Sequence, residues 1–211
     1  MSPRGVAIPD LRERLFAAAE RVVARDGAAA LTSRAVTEEA DCGKGVLHTH
    51  FAGLDEFVAE LVLDRFARSA REAEQLDGRA GRGGVADNLR DVVLTLLDSL
   101  PPGVVGLAMT RPVAALRTRE GFRSGAPAFG AIQHSFTAYL RAEQHLGRLA
   151  PGADAATIAL ALVGTVHHLL MTRPQGGGGE GGSTEGGSAE ARDTTERLLS
   201  ALLGPHTPPT P

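Results

Sequence analysis

Residues 32–51 of the chain read TSRAVTEEADCGKGVLHTHF, and they divide into two short helices and a turn. The first helix is expected from Thr32 to Ala40. Thr32 is placed to cap it, because a threonine hydroxyl accepts from a free amide in the first helical turn. Asp41-Cys42-Gly43 is too short for anything but a tight turn. Asp41 falls where that turn asks for a left-handed backbone, a conformation Asp tolerates better than most side chains. A second short helix follows from about Lys44 to His50 and ends at Phe51. Val36 and Ala40 give the first helix a small apolar inner face, while Leu47 and Phe51, four apart, give the second its own. Two helices joined by a three-residue turn have the geometry of a helix-turn-helix, whose second helix can enter a DNA major groove. Gly45 removes bulk near the start of that helix, and Lys44, Val46, His48, Thr49 and His50 are left to point outward.

Outward from this segment the helical period continues in both directions. From Asp10 to Arg25 the apolar residues Leu11, Leu15, Phe16, Ala19, Val22 and Val23 recur at three- and four-residue steps. A longer helix is expected from about Leu54 to Gln75, with Phe57, Leu61, Val62, Phe66 and Ala70 in one stripe and Asp55 and Glu56 favourably placed at its start. Gly78 to Gly84 breaks it. Next comes 87–100, then a stop at Pro101-Pro102-Gly103, then shorter helical pieces around Pro112 and out to Arg119. After a loop at 121–127, helical spacing resumes over 128–149. Residues 154–172 are apolar nearly all round the wheel, so that helix must be buried on more than one face. The Gly/Ser/Glu-rich stretch at 174–190 reads as a flexible loop, a last helix spans Asp193–Leu203, and 205–211 is a frayed tail. No strand pattern competes. The expectation is an all-α chain of about nine helices: a helix-turn-helix domain over 1–53 and a larger helical domain over 54–204.

Composition narrows the function classes. The 211 residues are 43% hydrophobic and 22% charged, as in ordinary globular chains. No apolar run reaches the roughly 18 residues of a membrane span, and MSPRGVAIPD lacks the apolar core of a signal peptide, so a cytoplasmic protein is expected. The net charge is −3, so any DNA-binding claim rests on local geometry and not on bulk charge. Cys42 is the lone cysteine, which removes disulfide frameworks and cysteine-built zinc sites. His48 and His50, two apart on a helix, point away from each other, so no metal site is expected. There is no paired-carboxylate site, no nucleophile beside a base and no phosphate loop. The expectation is a protein without cofactor or catalytic activity.

Residues 32–51 resemble the tetracycline-repressor (TetR) family of bacterial transcription regulators. Thr32, Lys44-Gly45, Leu47, His50-Phe51 and the following Asp55-Glu56-Phe57 occupy the places of the family pattern. The likeness covers about the first 65 residues, and beyond them only helix order agrees. Asp41 stands where the family has Gly, Gly43 where a Ser or Thr would cap, His48 in place of a Tyr, and Leu54 in place of a Lys. The last two changes remove two backbone contacts, with consequences for salt-dependent affinity.

By this resemblance Lys44 meets a phosphate, and Thr32, Ser33 and Arg34 contact the DNA backbone from a helix N-terminus. Val46 and Thr49 face base edges, Val46 against a thymine methyl, and His48 and His50 face phosphates. The larger domain is implied to bind a small hydrophobic inducer and to dimerise through its last two helices. The expected pocket is lined by Leu97, Met109, Phe129, Ile132, Phe136 and Leu162, with His134 and His167 as polar handles. The expected dimer face is Ile158, Leu162, Val166, Leu169, Leu198 and Leu202, two helices from each subunit forming a four-helix bundle. Such a homodimer would read a pseudo-palindromic double-stranded operator. The reading is a dimeric, ligand-responsive regulator, a repressor released by its inducer. The alternative is an all-α small-molecule-binding or protein-interaction dimer that does not bind DNA specifically.

Overall fold

A computed structural model describes residues 10–99, 102–172 and 184–204, and every described element is helical. In chain order these are α1 (Leu11–Asp26), α2 (Ser33–Glu39), α3 (Val46–His50), α4 (Leu54–Glu74), α5 (Val85–Ser99), α6 (Pro102–Thr110), α7 (Pro112–Arg123), α8 (Phe129–His145), α9 (Ala155–Thr172) and α10 (Thr184–Leu203). Short 3-10 turns lie at Ala28–Ala30 and Gln75–Arg79.

Several boundaries differ from the sequence expectation; α7, for one, runs to Arg123 where a loop was expected from 121. Pro102 opens α6 instead of ending a helix. Proline's fixed φ suits the first helical position, and its missing N–H is not needed there. The last helix begins at Thr184, so 184–190 is helical where a loop was expected. Ala189, Glu190, Ala191 and Arg192 are good helix formers, and they carry the helix back through Gly186-Gly187. The remainder of the expected loop, 174–183, and the tail 205–211 fall outside the described residues.

Helices α1–α3 form a head that is held together at its base by aromatics. Phe16 of α1, Phe51 at the end of α3 and Phe57 of α4 pack with ring centroids 5.0–6.2 Å apart. Leu47, the inward residue of α3, is fully buried. A charged contact repeats this tie: Arg65 of α4 is buried against the Phe16 ring and bonded to Glu13 and Glu20 of α1. α4 is thereby fastened to α1, and it also packs on α5, α6, α7 and α8. α4 is the spine joining the head to the larger domain.

In that domain α8 and α9 pack side by side, and α10 lies on α5 and α9. α9 has 18 residues of mean hydropathy 1.6, enough by length and composition alone to cross a membrane. Here it contacts α5, α6, α8 and α10, and Ile158, Leu162 and Val166 are buried among them. A fully buried carboxylate, Glu143 of α8, pins the turn before α5. It accepts the Gly81 N–H at 3.1 Å and faces Arg148 Nε at 3.1 Å. One turn earlier, the Tyr139 hydroxyl accepts from Asn88, which also donates to the Arg82 carbonyl. Burial pushes the Tyr139 phenol up to about 12.

Candidate nucleic-acid interface

The local geometry of 32–51 follows from its residues. The Thr32 hydroxyl accepts the Ala35 N–H at 3.0 Å, capping α2. Arg14 of α1 donates to the Ala40 carbonyl at 2.7 Å and satisfies the other end. Asp41 takes φ 49°, the left-handed conformation the turn requires. Helix α3 starts at Val46, later than the Lys44 start expected. Residues 43–45 instead form a turn closed by the Val46 N–H on the Gly43 carbonyl at 2.9 Å. Lys44 therefore projects from a turn and not from the helix.

Of the expected DNA-facing residues, Thr32, Arg34, Lys44, Gly45, His48, Thr49 and His50 are exposed, and Ser33 and Val46 are half-buried. They lie on α2, on the turn and on α3. A Cβ built on Gly45 would meet nothing within 4 Å, so the turn is open there. Val46 packs partly on the core, which leaves only part of its side chain for a thymine methyl. Thr49 turns its hydroxyl back to the Gly45 carbonyl at 3.1 Å, a bond that leaves the oxygen able to accept, but not to donate, at a base edge.

The arginines here are already engaged. Arg34 pairs with Glu38 at 2.7 Å, and Arg21 and Arg25 of α1 close on Glu39. These arginines hold the Glu39 carboxyl below the usual carboxylate range. Arg12 of α1 was not among the expected residues. It lies 5.0 Å over the Phe16 ring, bonds Glu60 of α4 at 2.7 Å, and shares with His50 a concavity floored by Leu11, Leu15 and Phe51. Burial pushes the Cys42 thiol up, against the opposing pull of Arg14.

Behind the head, α7 reaches the start of α4. Arg111 bonds Asp55 at 2.7 Å and Arg117 stands 3.6 Å from Glu56. Glu56 in turn accepts the Ala52 N–H at 2.5 Å, in the link that leaves α3. The charge pattern at Asp55 and Glu56 was visible in the sequence, but its arginine partners lie more than fifty residues away and no local signal names them.

The expected pocket residues separate. Leu97, Ile132, Phe136 and Leu162 are buried in the main core, and His134 is exposed on α8. Met109 lies on α6, and its side chain is outside the description. Phe129 and His167 do come together, edge to face at 5.2 Å. Phe66 and Phe122, which the sequence did not single out for the pocket, complete the group, with Phe66 at 4.9 Å from Phe129 and 5.2 Å from Phe122.

The expected dimer residues divide by burial within the single chain. Ile158, Leu162, Val166 and Leu169 lie in the chain's own core, and Leu198 and Leu202 pack half-buried against it. The outer side of α9 instead shows Leu160, 57% exposed, and Met171, 43% exposed, with Gly164, His167 and His168 between them. A helix apolar on every side gives its period no way to tell which face turns inward. Among the described residues no three His, Cys, Asp or Glu side chains gather as they would around a metal ion.

Residues 15–61 match the family described as bacterial regulatory proteins, tetR family. No curated protein matches the chain. Among solved structures, a protein from Mesorhizobium loti assigned to the TetR-family transcriptional regulators aligns over 97% of this chain and 100% of its own. Its TM-score is 0.67 at 14% identity. A transcriptional regulator from Rhodococcus sp. Rha1 aligns over 95% and 100%, with TM-score 0.64 and 19% identity. The regulator FadR of Bacillus subtilis, solved with stearoyl-CoA, aligns over 90% and 98%, with TM-score 0.57 and 14% identity. At these identities the structural likeness speaks for the fold, and the match at 15–61 speaks for the reading head. Over residues 15–61 the chain carries the segment of the tetR family of bacterial regulatory proteins, within a fold like that of solved TetR-family regulators.

Proposed function

We propose that this DNA-binding regulator works as a homodimer that represses transcription from a pseudo-palindromic operator and leaves it when a small apolar ligand fills the larger domain. The observation that carries the reading is the continuity of α4. Its start is bonded to the link that leaves α3 and to α7, and its middle is bonded to α1. A ligand that moved α7 relative to α4 would therefore bear on the recognition helix. Its effect is bounded by its differential affinity for the two arrangements.

The ligand class is argued from the Phe66, Phe122, Phe129 and His167 group, a packed aromatic cluster with one exposed imidazole. The stearoyl-CoA bound by the B. subtilis relative supports an apolar ligand in a fold of this kind. The dimer face is assigned to the outer side of α9, around Leu160, Gly164 and Met171, because exposed apolar residues of this size mark association surfaces. Two reading heads in one dimer would then meet half-sites one helical turn apart. The target places the protein in the cytoplasm, and neither a cofactor nor catalysis enters this reading.

Selection of genomic fragments by the purified protein, followed by a screen of long-chain acyl and other apolar compounds for release, tests the proposal. A recovered palindrome freed by one compound class supports it. A palindrome that no ligand releases, held by a monomer, would overturn the ligand and dimer parts together.

A further inference from the structure

A threonine inside a helix can settle its own hydroxyl by donating to the carbonyl one turn back. Thr37, Thr95, Thr110, Thr137 and Thr195 all do so, at 2.7–3.2 Å. Thr118 of α7 does not. It is 5% exposed, and among the described residues its Oγ1 has no hydrogen-bond partner. An unmade bond at a buried hydroxyl is a standing cost, which valine, of nearly the same shape, would avoid.

The surroundings narrow what can meet that hydroxyl. Ala114, Thr118 and Phe122 recur at four-residue steps, so they share one face of α7. Ala114 is fully buried, and the Phe122 ring stands 5.2 Å from Phe66 of α4, so that face turns to α4. Thr118 lies between two contacts of α7 with α4. Just before it comes the Arg117–Glu56 pair; three residues after it comes Gly121, where a Cβ would stand 2.5 Å from Leu63. One turn beyond Thr118 is the aromatic group, which runs from buried Phe66 through half-buried Phe122 and Phe129 to the exposed His167. Partly uncovered ring surface therefore leads from solvent towards α4 and ends one turn from an unsatisfied donor.

We infer that Thr118 is the polar anchor of the ligand site, its hydroxyl donating to a carbonyl oxygen of a ligand whose apolar body lies on the Phe66, Phe122, Phe129 and His167 rings. The inference rests on the ligand reading above and narrows it from any apolar compound to an apolar ketone or ester. A carbonyl is specified because the bond Thr118 leaves unmade is the donated one. A carboxylate in its place would be a buried charge, which costs far more than one hydrogen bond returns. The placement also connects binding to the head. Because α7 and α4 already touch at Gly121, an oxygen brought to Thr118 separates them, beside the Arg117–Glu56 pair that leads to the link after α3.

The test is isothermal titration calorimetry of the full chain with matched compounds, butyrophenone against butylbenzene and benzophenone against diphenylmethane, each pair differing by the carbonyl alone. Thr118→Val is expected to weaken each ketone roughly three- to tenfold, the worth of one hydrogen bond, and to leave the hydrocarbons at wild-type affinity or tighter. Thr118→Ser should restore the ketones. The ligand-free Val variant should melt at the wild-type temperature or above it, because it loses an unsatisfied group. A substitution that changes ketone and hydrocarbon alike, or neither, overturns the inference and leaves the apolar-ligand reading standing; so do hydrocarbons that bind where ketones do not. A Val variant that melts lower shows the hydroxyl already satisfied within the fold by a buried water, and overturns the inference too. No binding of any of these compounds overturns the ligand reading and the inference together and leaves the DNA-binding reading untouched.

Discussion

Arg65 offers the sharpest test of how the reading head is fastened. Its side chain is 2% exposed, and all five of its N–H groups find carboxylate oxygens. The Nε donates to Glu20 at 2.5 Å, and the two terminal nitrogens donate to Glu13 at 3.0 and 3.1 Å, to Asp64 at 2.8 Å and to Glu20 at 3.2 Å. Arg65→Met keeps the length of the stem and removes the cation, leaving three carboxylates facing one another. Breaking a buried pair by deleting one partner costs about 3–5 kcal/mol when the survivor cannot hydrate. Here Glu13, Glu20 and Asp64 are 44%, 21% and 29% exposed, and Glu13 keeps Arg68 at 3.0 Å. The cost falls accordingly to about 2–3 kcal/mol. In a chain of this size that lowers Tm by about 4–12 °C.

The pH dependence has a definite sign. Burial acts to raise the Glu13 carboxyl, but Arg65 and Arg68 outweigh it and hold the group below its ordinary value of 4.5. A depressed carboxylate contributes stability that is present above its unfolded value and lost as the pH falls through the folded one. Thermal melts followed by circular dichroism should therefore show the gap between wild type and Arg65→Met at neutral pH and a smaller gap in acid, below about pH 4. Equal melting at neutral pH, or a gap that widens in acid, would refute the account of the cage.

Three further expectations are more local. Arg111→Gln breaks a half-exposed pair, so melting should change by less than about 1 kcal/mol, while amide exchange over 51–58 should rise; unchanged exchange would count against the α7–α4 contact as a restraint on α3. Gly43→Ser adds a hydroxyl two residues ahead of the α3 N-cap Gly45, where a Cβ would meet only Val46 at 3.7 Å, and it should change Tm by less than about 2 °C; a larger fall would show that the turn needs glycine. Leu160→Asp puts a charge on the outer side of α9 and should give a monomer in sedimentation equilibrium, whereas a persisting dimer would move the interface elsewhere.

What the sequence showed and what it hid divide by distance along the chain. The cap at Thr32, the left-handed Asp41 and the inward Leu47 and Phe51 are set by neighbours within four residues, and they sit as the pattern implies. The exposed set from Thr32 to His50 was legible for the same reason. The long-range ties of α4 were not. Arg65 closes on carboxylates 45 and 52 residues away, and Arg111 on one 56 residues away, and periodicity carries no information on such pairs. The face of α9 failed for a different reason: Ile158 and Leu160 are equally apolar in sequence, and only packing against α8 and its neighbours turned one in and the other out. Phe66 and Phe122 read as stripe and loop, so the aromatic group around Phe129 needed the fold to assemble it.

The central claim is that the exposed side of 32–51 reads DNA. Titration of the purified chain against its upstream duplex and a scrambled one, with Lys44→Ala and Thr49→Ala alongside, tests it most directly. The account predicts saturable preference for one sequence, uniform weakening on Lys44→Ala, and loss of preference on Thr49→Ala. Equal binding to every duplex, unchanged by either substitution and with no fragment enriched from the genome, would contradict it.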